Sequence, residues 1–203
     1  MDQFFVFLNL NNPIARTNYE TRGNKIISAG VLNALTEQSY LQKYINGTLD
    51  YIPFEINTQC DVAQPSLFQL SAIDLYKIEY NAEVYRKQFL PHMPSRFSCI
   101  YAFKDYQDCI KVSKKYGWDL ATVKHFKLEP NPLNKVHKVN MEVISLLRGQ
   151  SYLSCLSPEE ENKVWEHYWN SRGPMSIESP LVGKGDSGVI WEYLVEGTLA
   201  LIE

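Results

Sequence analysis

Between Phe97 and Phe103 the chain alternates, with Phe97, Cys99, Tyr101 and Phe103 on one side and Ser98, Ile100 and Ala102 on the other. With so little charge on either side, the pattern predicts a strand covered on both faces, at the centre of a sheet. The run before it, Pro91 to Pro94, is a turn that a helix cannot cross, because Pro lacks an N–H and pushes its predecessor out of the α region. Helical spacing leads in from an Asp74 cap to about Leu90, with Leu75, Ile78, Ala82, Tyr85 and Phe89 at three- and four-residue steps. Helical spacing also leads out, from Asp105 through Tyr106, Cys109, Ile110 and Tyr116 to Gly117.

The same reading extends to both ends. Phe4 to Leu10 predicts a first strand, and Ile14 to Gly23 has turn chemistry. Asn24 to Ile45 predicts two short helices separated near Thr36 and stopped by Asn46-Gly47, both tolerant of a left-handed cap. Leu49 to Ile56 predicts a short strand, and 57–73 and 173–188 predict loops able to move. Ala121 to Leu128 predicts a strand, Lys135 to Val139 a weaker one, and Met141 to Leu147 a short helix. Ser157-Pro158-Glu159-Glu160 predicts a helix start running to about Ser171, with a cap, a Pro at the first position and acids against the dipole. Val189 to Leu201 predicts one or two strands hinged at Gly197. Helices and strands mix without regular βαβ alternation. The expected class is α+β, with mixed, mostly antiparallel sheets and flanking helices in a single domain over 1–203.

Composition changes this picture little: 45% hydrophobic and 21% charged residues describe a globular chain. The net charge of −3 excludes a strongly basic nucleic-acid binder. Its distribution is uneven, with Lys111, Lys114, Lys115, Lys124, Lys127, Lys135, Lys138 and Arg148 in the middle and an excess of acids after Pro158. Such asymmetry either steers a polyanion to one face or is a solvated surface. Cys60, Cys99, Cys109 and Cys155 form no CxxC pair and have no His at ligand spacing, so no metal site is expected. Cys99 and Cys109 sit in apolar patterns, while Cys60 lies in a polar loop. The start MDQFFVFLNL is too short for a membrane span and lacks the basic residues of a signal peptide, which gives a cytoplasmic expectation without membrane partners.

The chain has no P-loop, GxGxxG, GxSxG or HExxH motif, and its four histidines lie far apart. What it offers is a constellation. Arg96 stands at the strand's mouth between Ser95 and Ser98, and Arg suits a planar, two-point grip on phosphate or carboxylate. Tyr101 and Tyr106 offer faces for a flat ring. Glu192 lies in the last strands between bulky neighbours. For Arg96 the alternative role is an ion pair holding a turn, and for Glu192 an outward strand position.

The run from about Val84 to Pro130, with its helix, Pro-Ser-Arg, FSCIYAF strand, aromatic-bearing helix and outgoing strand, resembles small proteins of the ADP-ribosyltransferase-like fold. The tail, a YW-containing helix followed by WEYLVEG, is similar to the end of those proteins, so the resemblance covers about half of the chain. It implies a cleft between two sheets that binds NAD as substrate. It further implies a central-strand hydroxyl at Ser98 or Ser95, a neighbouring Arg96 and a catalytic acid at Glu192, with Glu196 as fallback. Tyr101 and Tyr106 would complete the cofactor contacts. Two departures stand out: the central strand carries Ser-Arg-Phe-Ser where the best-known transferases have Ser-Thr-Ser, and the first strand offers no Arg or His, leaving Asn9 or Arg16. The implied activity is transfer of ADP-ribose to a macromolecular acceptor, protein or nucleic acid. Two competing readings are a non-enzymatic protein-binding module (an inhibitor or adaptor) on the same kind of fold, and a plain nucleic-acid-binding domain. An enzyme requires Arg96, a central-strand serine and Glu192 to converge on one cleft.

Overall fold

The computed structural model describes residues 2–50, 67–149, 156–179 and 183–202. Strand β1 (Gln3–Phe7) buries Phe4 and Val6 by alternation. The segment 14–23, expected as a turn, contains helix α1 (Pro13–Glu20). Pro13 occupies a first-turn position where its missing N–H costs nothing, and the Asn12 side chain accepts from the Ala15 N–H at 3.3 Å. Next come β2 (Lys25–Ile27), α2 (Ala29–Thr36) and α3 (Gln38–Ile45). The expected break at Thr36 is present, but the first of these helices begins only after its Ser28 cap. Lys25–Ile27 is instead extended, because pairing with the last strand outweighs the helical stripe.

Helix α4 (Leu67–Phe89) starts well before Asp74 and takes in the end of the expected 57–73 loop. The rest of that loop, the 49–56 strand beyond Asp50, Cys60 and Cys155 lie outside the described residues. Then follow β3 (Ile100–Ala102), α5 (Tyr106–Tyr116), β4 (Val123–Leu128), β5 (Lys135–Asn140) and α6 (Met141–Gly149). Asp105 caps α5 and Gly117, at φ 72°, ends it, both as expected. Helix α7 (Pro158–Trp169) opens on a capping box between Ser157 and Glu160. The expected loop over 173–188 contains a hairpin, β6 (Ser176–Ser179) and β7 (Gly183–Asp186). The chain closes with β8 (Trp191–Glu196) and β9 (Thr198–Leu201), turning at Gly197. The α+β expectation holds: the strand pairs are antiparallel, in sheets ordered β1-β4-β9-β2 and β3-β8-β5 plus the hairpin.

The expected central strand is the main correction. Its first residues are turned, with the Ser98 and Cys99 N–H groups both donating to the Ser95 carbonyl at 3.2 and 3.0 Å. Only Ile100–Ala102 pair as a strand, at the edge of the three-stranded sheet, and β8 takes the centre. Phe103 then bridges to Phe5, exchanging hydrogen bonds of 2.6 and 2.8 Å that tie the two sheets together.

One face of the β3-β8-β5 sheet packs Ile100, Ala102 and Val195 against Phe4, Phe126 and Leu199 of the other sheet. The opposite face packs Val139 and Leu194 against Ile78 and Ala82 of α4, Val143, Ile144 and Leu147 of α6, and Val164, Trp165, Tyr168 and Trp169 of α7. Strand alternation therefore places Glu192 and Glu196 on the helix-covered face, flanking the fully buried Leu194.

Candidate functional site

Arg96 is the centre of a densely bonded polar arrangement that opens onto a cavity. The Ser95–Cys99 turn points it between α4 and α7, where it is 6% exposed. Its Nε and Nη2 donate to the two carboxylate oxygens of Glu79 at 2.7 and 2.9 Å, a two-point fork. Its Nη1 donates to the Tyr168 hydroxyl. The guanidinium lies over the rings of Tyr101 and Tyr168, 5.2 and 5.5 Å from their centroids, and the Tyr101 hydroxyl donates to the Arg96 carbonyl at 2.7 Å. Burial alone would pull the guanidinium down, but Tyr168, Tyr101 and Glu79 more than offset it and hold it well above its ordinary value. Arg96 is a permanent charge. For Glu79, burial pushes the carboxyl up, while Arg96 and Arg148 win and hold it below its ordinary value.

Glu192 approaches the same guanidinium less closely, with Oε2 3.8 Å from Arg96 Nη1. It is 4% exposed, and burial pushes its carboxyl up to about 7, with Glu79 adding to the rise and Arg96 and Arg148 opposing it. A carboxyl poised near neutrality is suited to taking or giving a proton. Glu192 lines a cavity of about 180 Å³ together with Glu79, Arg96, Tyr101, Trp118 and Arg148. Arg148, on α6, is half exposed and donates to Glu79 at 2.7 Å, while Trp118 is 41% exposed. A larger cavity of about 320 Å³ between α1, β2 and α2 is lined chiefly by aliphatic side chains and has no carboxylate in its wall.

Of the residues expected from sequence, Arg96, Tyr101 and Glu192 meet at the first cavity. Ser95 and Ser98 do not. The Ser95 hydroxyl donates to Glu83 at 2.8 Å, and the Ser98 hydroxyl and Ser95 N–H donate to Glu196 Oε1 at 2.5 and 3.1 Å. The tight turn directs Arg96 one way and both hydroxyls the other, where an extended strand would have kept them near one another. Glu196, the fallback acid, thus belongs to the serine cluster. Tyr106 lies on α5, 41% exposed, edge-on to Phe5 at 5.5 Å. Neither Asn9 nor Arg16 lines the cavity. The Asn9 side chain accepts from the Asn11 N–H, and Arg16 is exposed on α1. The thiol of Cys109 is buried and pushed up to about 12 by that burial, so it is inert at neutral pH.

Sequence reasoning missed Glu79, Arg148, Tyr168 and Trp118. One signal was present: Glu79, Glu83 and Arg86 recur at four- and three-residue steps beside the apolar stripe of α4, forming a charged line next to the buried face. Arg148, Tyr168 and Trp118 reach the site from separate elements and left no local mark. Among the described residues no helix is long and apolar enough to cross a membrane.

No curated protein matches the chain. A family model described as "Protein of unknown function (DUF2441)" matches residues 11–202, nearly the whole length, and the chain belongs to that family.

Proposed function

We propose that the Arg96–Glu192 cavity binds the nicotinamide-ribose end of NAD, and that the chain transfers ADP-ribose to a macromolecular acceptor. The observation that carries this reading is Glu192: a carboxyl buried to 4% exposure that nevertheless lines a cavity, with aromatic rings and arginines in the same wall. The cavity, about 180 Å³, is smaller than the roughly 300 Å³ at which pockets for whole drug-sized ligands begin, so it takes one ring and its sugar. The pyrophosphate would lie at the mouth. There Arg148 spends one of its five donors on Glu79 and has others for an anion, while Trp118 offers a ring face.

In this reading the bond between ribose C1′ and the nicotinamide nitrogen breaks, and its electron pair leaves with neutral nicotinamide. The Glu192 carboxylate faces the positive charge that develops at C1′. A lone pair of the acceptor then bonds to C1′, and the acceptor's proton passes to Glu192, whose affinity near pH 7 suits the task. Arg96 does not touch the reacting atoms. Locked by Glu79 and Tyr168, it fixes the charge beside Glu192.

The second reading, a non-enzymatic protein-binding module on the same kind of fold, is favoured by one observation: the central hydroxyls Ser95 and Ser98 turn away from the cavity. The test is calorimetric titration of NAD into the wild type and into Arg148→Ala, combined with chromatographic detection of nicotinamide with wild type and Glu192→Gln. Binding weakened by Arg148→Ala, with nicotinamide released by wild type and not by Glu192→Gln, supports the transferase. Binding without release supports the module. No heat at millimolar NAD sinks the transferase and leaves the protein-binding module, to be sought with protein partners.

A further inference from the structure

Four residues along β8 from Glu192, a second polar cluster is entirely internal. Arg86 donates to both oxygens of Glu83 at 2.9 and 2.7 Å, and through Nη1 to the carbonyls of Pro91 and Met93 at 2.8 and 3.1 Å. Glu83 takes the Ser95 hydroxyl, and Glu196 Oε1 takes the Ser98 hydroxyl and the Ser95 N–H. The turn that presents Arg96 is thereby held from beneath by two carboxylates. Glu83, Arg86, Ser95, Ser98 and Glu196 are each at most 2% exposed.

One atom breaks the pattern. Glu196 Oε2 is buried and has no hydrogen-bond partner. The nearest cation, Lys135 Nζ, is 3.8 Å away, too far for a direct bond, and donates instead to the Tyr44 carbonyl at 3.0 Å. A buried carboxylate oxygen left without a partner is strongly disfavoured, because its lost hydration is not replaced. Beside it lies a cavity of about 10 Å³, room for the centre of one water, lined by Tyr44, Arg86, Pro91, Ser95, Lys135 and Glu196. Two atoms 3.8 Å apart can share a water that sits about 2.8 Å from each.

We infer that a single ordered water occupies this cavity, donating to Glu196 Oε2 and accepting from Lys135 Nζ, and that it completes the cluster that positions the Arg96 turn. The inference does not depend on NAD. The water converts an unsatisfied ion pair into a closed network joining α3, α4, β5 and β8. Two or more polar partners and a volume near the minimum for one water distinguish it from an empty apolar void.

A crystal structure at high resolution tests the site directly. Density within hydrogen-bond distance of both Glu196 Oε2 and Lys135 Nζ is the expected result. An empty cavity, or a direct Lys135–Glu196 bond, overturns the inference. In solution, oxygen-17 relaxation dispersion of water should show one long-lived internal water fewer in Lys135→Met than in wild type, and an unchanged count would equally overturn it. The positioning role has its own readout. Exchange of the Arg96 Nε–H, followed by NMR, should quicken about tenfold in Lys135→Met but not in Val112→Ala, which loosens a separate part of the core. Equal quickening in both variants would reduce the cluster to general stability and refute positioning.

Discussion

Arg96 and Glu192 face each other across 3.8 Å without a hydrogen bond, while Glu79 grips the same guanidinium at 2.7 Å. The better-placed acid neutralises the arginine, and the second acid is left buried and only partly compensated. That division of roles explains why Glu79 is held low and Glu192 high, although both lie against one cation. Two acids whose environments separate their proton affinities make one a fixed charge and the other a titrating group.

If Glu192 must be ionised to stabilise charge at C1′, nicotinamide release should rise with pH up to a plateau, with a midpoint near 7. Glu192→Gln should lower the rate by roughly 10²-fold or more while leaving NAD affinity within a few-fold of wild type. A pH–rate profile with single-turnover assays checks both. A flat profile would remove Glu192 from the chemistry.

The same group sets a stability signature with a definite sign. A carboxyl raised on folding binds its proton more tightly in the folded state, so between about pH 4.5 and 7 folding takes up a proton and stability falls as pH rises. The full effect is about 3 kcal/mol at most. Glu192→Gln cannot ionise, so relative to wild type it should gain stability from pH 5 to pH 8. Thermal melts of both proteins at the two pH values report it, and a constant difference in Tm would contradict the raised affinity.

Breaking the buried Glu83–Arg86 fork should be costly. Glu83→Gln leaves the fully buried Arg86 short of its counter-charge, with an expected loss of about 3–5 kcal/mol in urea unfolding. Replacing both residues with methionine should recover a large part of that loss, because neither member of the pair is then left as an uncompensated charge.

Gly47 should resist even alanine. Its φ is +69°, and a Cβ would lie 2.1 Å from the Pro91 carbonyl oxygen, itself engaged by Arg86. Gly47→Ala should therefore destabilise by more than about 1 kcal/mol, whereas at Gly23, with a similar φ but open space, the cost should be smaller. Chemical denaturation of the two variants side by side measures the difference, and equal costs would mean that Pro91 yields.

The amino-acid sequence by itself determined the elements whose signals are local. Asp105 and Gly117 bound α5, Ser157 and Pro158 open α7, and Gly197 divides the last two strands, because caps, prolines and glycines act directly on local backbone geometry. Arg96, Tyr101 and Glu192 were legible as chemistry for a similar reason: a lone arginine after Pro-Ser and an acid within a bulky strand stand out in any context. Only the tertiary structure decided that β8 lies at the centre of its sheet and Ile100–Ala102 at the edge, since pairing is made by residues about ninety positions away. It also decided that Ser95 and Ser98 turn toward Glu83 and Glu196 while Arg96 turns toward Glu79. That choice is made by buried carboxylates on α4 and β8, whose need for partners in a low-dielectric interior outweighs the local alternation that made the stretch read as an extended strand.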